Sequence, residues 1–171
     1  DVDGYYTAQG AAPGNCRVYF NGITAGNYIP EFYNNKNGWQ PLSSDTVAVT
    51  AGQTTGNIDA QLATGGSISG RVTDGSGNGI PGVSIGVREL TGIGISGANT
   101  DADGYYTAKA IPTGNYMVYF DGTGTGNYIP EFYNNKNSWE PQTADTVSVT
   151  AGQTTTGTNA QLDAGGTITG R

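Results

Sequence analysis

The side chains that could carry chemistry are few, and most are carboxylates in glycine-rich turns. Asp74, Ser76 and Asn78, followed by Gly79, fit the first half of a calcium loop of the EF-hand kind, where alternate residues offer oxygens to a hard cation. The acid that such a loop needs at its twelfth position falls on Ile85, so a complete EF-hand is excluded. Asp101 and Asp103, before Gly104, make a second acidic loop, and Asp1 and Asp3, before Gly4, make its twin. Ordinary turn chemistry explains the same residues, because Asp and Asn accept hydrogen bonds from nearby backbone N–H groups and tolerate left-handed backbone. Turn chemistry is the expected role, calcium is the alternative ligand, and no other cofactor is expected.

Catalytic constellations are scarce. The chain has no His, which excludes a Ser-His-Asp triad, a Cys-His pair and any His-ligated metal. Its one cysteine, Cys16, can form neither an internal disulfide nor a CxxC pair, and it alternates with Val18 and Phe20 as a small core residue would. Glu31 and Asp45 recur as Glu131 and Asp145. Glycoside hydrolysis needs two carboxyls ~5–9.5 Å apart around a cleft. Nothing in the spacing shows a cleft, and lone acids on strand edges ordinarily face water or block edge pairing. No enzyme is expected.

The densest cluster is aromatic. Tyr28, Phe32, Tyr33 and Trp39 recur as Tyr128, Phe132, Tyr133 and Trp139, with the amides of Asn134, Asn135 and Asn137 beside the second set. Such a segment supplies core or packs on a neighbouring unit, or its outer face stacks on a sugar ring.

These candidates sit in a repeat. Asp1–Arg71 matches Asp101–Arg171 without a gap, identical at 45 of 71 positions. The frame reads as residues 1–64, a repeat lacking its first third; 65–164, a complete repeat; and 165–171, the first strand of another. That arrangement is expected of a window on a longer array.

Elements able to position these residues are strands. Gly (29) and Tyr (11) are abundant, only 12% of residues are charged against the usual ~25%, and Leu occurs four times. Ser67–Thr73 and Val83–Val87 alternate apolar and polar residues, and turn clusters separate them. Tyr105–Ala108, Tyr116–Phe120, Tyr128–Tyr133, Thr146–Thr150 and Thr155–Leu162 continue the series. Seven or so strands in about 100 residues predict an all-β fold of tandem antiparallel seven-stranded β-sandwiches.

The motif order G-S-I-S-G-R-V-T-D (66–74), I-P-G-V-S-I (80–85), T-D-A-D-G-Y-Y-T (100–107) and I-P-T-G-N-Y-M-V-Y-F (111–120) resembles the carboxypeptidase regulatory-like domain. That group is similar to collagen-adhesin B-type and prealbumin-like modules. The resemblance implies a prealbumin- or Ig-like sandwich without catalytic residues, strung in tandem on secreted or surface proteins. Some relatives carry a Lys–Asn isopeptide, but Ser67–Thr73 holds no Lys, and Gln9 stands where the other copy has Lys109.

The net charge of −7 leaves no basic footprint for nucleic acid, and no apolar run reaches the ~18 residues of a membrane span. The expected role is a structural repeat of an extracellular stalk, fibre or surface filament, completed by neighbouring strands. Its expected partners are further copies of itself. The alternative is a carbohydrate-binding or adhesin module using the aromatic segment.

Overall fold

The computed structural model describes all 171 residues, which form short strands, turns, single helical turns and irregular chain in two compact units. The first comprises Asp1–Asn21 and Pro30–Leu62, the second Gly22–Ile29 and Ala63–Arg171.

In the first unit, strands β1 (Gly14–Cys16), β2 (Tyr19–Phe20), β3 (Glu31–Phe32), β4 (Lys36–Asn37) and β5 (Val47–Val49) are short. β1 pairs antiparallel with β5, and β2, β3 and β4 form a meander. Tyr6 packs edge-to-face on Phe20, with ring centres 5.7 Å apart, and its hydroxyl donates to the Ile58 carbonyl at 2.7 Å. Cys16 is half-buried and free.

The second unit holds β6 (Gly66–Thr73), β7 (Ser84–Arg88), β8 (Gly94–Asn99), β9 (Tyr105–Ile111), β10 (Gly114–Asp121), β11 (Glu131–Phe132), β12 (Lys136–Asn137), β13 (Thr146–Val149), β14 (Thr154–Thr155) and β15 (Ala160–Gln161). One sheet runs β12-β11-β10-β7-β8, with β13 also on β10. In the other, β6 is flanked by β9 on one side and by β14 and β15 on the other. The core forms between these sheets because their inward positions alternate. Ile68 and Val72 of β6, Ile85 and Val87 of β7, Tyr106 and Ala108 of β9, Val118 and Phe120 of β10, and Val147 and Val149 of β13 are all buried. Phe120 meets Tyr106 edge-to-face at 5.9 Å, joining the two sheets. Each large apolar side chain buried here contributes about 1.5–3 kcal/mol.

Several expected elements differ. Tyr128–Tyr133 is a strand only at Glu131–Phe132, because Pro130 has no N–H to donate; Tyr128 keeps a single bridge to Ala164. Thr155–Leu162 is broken at Gly157 (φ 77°) into β14 and β15. Both run parallel to β6, since the chain has crossed from the β13 sheet to the other layer. β8 escapes a pattern search because its only large apolar residue is Ile95. The unit thus has ten strand segments where spacing predicts seven.

Gly70 faces inward between Ile68 and Val72. A Cβ there would strike the Thr158 carbonyl oxygen and lie 3.0 Å from the Tyr106 ring, whose hydroxyl donates to that same carbonyl at 2.7 Å. Gly70→Ala should therefore lower stability by about 2–4 kcal/mol, since the clash is with backbone that cannot rotate away. Chemical denaturation checks this, with Gly75→Ala, in open space, as the neutral control.

Candidate functional site

The acidic loops build their own turns. Asp74 Oδ1 accepts from the backbone N–H of Ser76 (2.8 Å) and Asn78 (2.9 Å), while Oδ2 accepts from the Asn78 side chain at 3.1 Å. The Asn78 amide and these backbone donors hold the Asp74 carboxyl below its ordinary value. Asp101 Oδ1 takes the N–H of Asp103 (3.0 Å) and Tyr105 (2.9 Å), and Asp1 treats Asp3 and Tyr5 in the same way. Nowhere do three acids, or acids with the cysteine, come together as a metal cluster. Exhaustive chelation should leave the melting temperature unchanged, which calorimetry with and without added calcium checks; a fall on chelation would give these loops a cation.

The aromatic segment is a hairpin. Asn134 and Asn135 both adopt left-handed backbone (φ 62° and 56°) in the turn between β11 and β12, as their short polar side chains allow. Asn134 Nδ2 donates to Asp145 Oδ2 at 2.9 Å, and Lys136 Nζ lies 3.8 Å from the same oxygen. Asn137 Oδ1 receives the Trp139 backbone N–H at 2.9 Å. Asn134 and Asn137 are therefore engaged in holding the hairpin. Of the rings, Phe132 is core and packs on Tyr119 at 5.2 Å, Tyr128 and Tyr133 are half-buried, and Trp139 is 86% exposed. In the first unit Asn34, Lys36 and Asp45 repeat the polar cluster, and Tyr33 and Trp39 are half-buried. Tyr28, in the second unit, is exposed.

Glu131 stands apart from Asp145. Its Oε1 is buried with no hydrogen-bond partner, and burial, then the nearby Asp163 charge, pushes the carboxyl up to about 7. Glu31 Oε1 is unpartnered too, and burial raises that carboxyl. The folded chain therefore keeps a proton on Glu131 that the unfolded chain, at 4.5, has already released. Stability from this group is complete below about pH 4.5 and falls as pH rises through 7. Glu131→Gln should flatten that slope by an amount on the order of 1 kcal/mol, allowing for water on its exposed side. Urea titrations from acid to neutral pH read it directly.

A shallow depression of about 290 Å³ is lined by Gly82, Ser84, Asp121, Thr123, Gly124 and Thr125. Its one acid, Asp121, is occupied by the N–H and hydroxyl of Thr123 (3.0 and 2.7 Å).

No sequence motif marks Asn27, a left-handed residue (φ 60°) that ends the helical turn Ile23–Gly26. Its Nδ2 donates to the Gly65 carbonyl (2.9 Å) and Ser67 Oγ (3.1 Å), and its Oδ1 accepts the Ala110 N–H (2.5 Å). The signal in the sequence is only a Gly-Asn pair.

A sandwich core from Ser67 to Leu162, with turn acids closed on themselves, is now in place, and the family model for the carboxypeptidase regulatory-like domain matches residues 67–163. The chain belongs to this family. Among solved structures, this regulatory-like domain protein is similar to the Bacillus anthracis TIE protein (14% identity, 59% of this chain and 17% of that one, TM-score 0.43). It is also similar to GBS52, the minor pilin of Streptococcus agalactiae (16%, 83% and 67%, TM-score 0.41), and to BcpA, the major pilin subunit of Bacillus cereus (14%, 90% and 40%, TM-score 0.38). The chain thus spans under a fifth of the TIE protein's length. No curated protein matches it.

Proposed function

We propose that the protein is a non-catalytic structural repeat of an extracellular stalk, fibre or surface filament, in which neighbouring repeats complete one another by strand pairing. The observation that carries this reading is the duplicated polar framework. The Asn34–Asp45–Lys36 and Asn134–Asp145–Lys136 clusters match to within 0.1 Å and hold hairpins rather than facing a cleft. Two units of one design, whose functional-looking acids are consumed in turns, suit extension by addition of units. No helix is long and apolar enough to cross a membrane.

A carbohydrate-binding module is the second reading, and Trp139, 86% exposed, favours it. Electron microscopy of the assembled protein should show elongated particles, and a glycan array should show no binding. Sugar binding abolished by Trp139→Ala would reverse the order of the two readings.

A further inference from the structure

We propose that β6 and the span holding β14 and β15 form a seam that carries tension along the chain, latched by the glycines Gly66 and Gly70. The proposal rests on the structural-repeat reading, which supplies the tension, and adds the element that bears it.

The seam joins the strand that opens the second sandwich to the strand that closes it. β6 pairs parallel with β14, Thr154 beside Ser67, and with β15, Ala160 beside Val72. Every second residue from Gly65 to Thr73 is tied to this span. The Gly65 carbonyl accepts from the Gly152 N–H (3.0 Å), the Ser67 N–H donates to the Gln153 carbonyl (2.9 Å), and the Ser69 carbonyl accepts from the Thr158 N–H (3.1 Å). Arg71 donates its N–H to Asn159 Oδ1 (2.8 Å), and the Thr73 carbonyl accepts from the Leu162 N–H (2.8 Å).

Direction decides how these bonds meet a pull. Because the strands are parallel, the chain enters β6 at one end of the seam and leaves β15 at the other. Tension between those points drives the strands past each other and strains every rung at once. In an antiparallel hairpin the two free ends lie together, and a pull opens the rungs one after another. The far edge of β6 resists too. β9 pairs with it from Ile68 to Arg71, and the Val72 N–H donates to the Gly104 carbonyl at 2.8 Å.

Side chains latch the slide. A pull on Gly65 moves β6 towards its N-terminal end, and alternation of the pleat lets it find a new register only after two residues. That step would carry Ile68 into the place of Gly66 and Val72 into the place of Gly70. Neither place admits a side chain. A Cβ at Gly66 would strike the Val149 side chain and lie 2.6 Å from the Thr150 carbonyl oxygen. At Gly70 it would strike the Thr158 carbonyl oxygen, which the Tyr106 hydroxyl holds in place at 2.7 Å. Ile68 and Val72, both 0% exposed, would also leave voids behind them in the core.

Both approaches to the seam are fastened alike. The Ile29 N–H donates to the Ala63 carbonyl at 2.8 Å, and the Ile129 N–H to the Asp163 carbonyl at 2.8 Å. Tyr28 bridges to Thr64, and Tyr128 to Ala164. Tension reaches β6 and β15 only through segments that are themselves bridged.

Single-molecule stretching of the whole chain tests the seam by its geometry. In a Cys16→Ser background, handles on Ala63→Cys with Asp163→Cys pull along the seam, while handles on Ser76→Cys with Asp163→Cys pull at one end of it. Ala63, Ser76 and Asp163 are all exposed, so both chains keep the fold. At equal pulling speed the first pair should unfold the sandwich in one event, at a force at least about twofold above the second, because forced unfolding follows the barrier and shear breaks the rungs together. The length of chain released, about 3.5 Å per residue, identifies the event. Equal forces, or the higher force from the Ser76 pair, would overturn the proposal and leave elongated particles, and so the structural reading, standing. Compact particles in electron microscopy would remove that reading and the source of tension, and the proposal with it.

Discussion

Every hydrogen-bonded pairing in the second sheet passes through one strand. β9, β14 and β15 form no ladder with one another, and each pairs with β6 alone. The first unit shows what depends on it. Its residues 5–11 and 54–61 match 105–111 and 154–161 at 8 of 15 positions, yet they form no strand and stay largely exposed. Segments half identical thus carry strands where β6 runs between them and none where no strand does. Strand propensity is weak beside that effect, because a pleated segment gains little until its backbone groups and inward side chains find partners.

The position of β6 is itself set by the absence of side chains. Gly70 passes under the Tyr106–Thr158 bond, Gly66 lies against Val149 and the Thr150 carbonyl, and Gly65 lies against Ala110. Close backbone approach at these glycines and the rings of Tyr106 and Phe120 complete a core otherwise built of Ile and Val. The high glycine content, which by composition alone hints at low complexity, is in part a packing requirement. Gly79 and Gly104 make the same point, since a Cβ on either would strike backbone of the other's loop.

Much of the sandwich was legible in the sequence because its central strands alternate cleanly: Ile68 and Val72, Ile85 and Val87, Val147 and Val149 are all buried as the pattern demands. The turn role of Asp74 and Asp101 was legible for an equally local reason, an Asp accepting from amides two and four residues on. Three features were not. β8 has too few apolar residues to show a period. The parallel course of β14 and β15 depends on a crossing between layers, which no local pattern records. Asn27 acts on residues as far as Ala110 in sequence, and nothing at Asn27 or Ala110 announces the pairing.

The asparagines therefore fall into two kinds that one repeated segment, G-N-Y-I-P-E-F-Y-N-N-K-N, conceals. Asn134, Asn135 and Asn137 serve the hairpin that contains them, and their removal would be felt locally. Asn27 serves the strand that opens after Gly65, 38 residues later, so its bonds join one stretch of chain to the opening of the sandwich. Coupling of that second kind is what a linear array needs. Where a residue of the preceding segment grips the first strand of a sandwich, as Asn27 grips β6, stability resides in that coupling as well as in the sandwich itself.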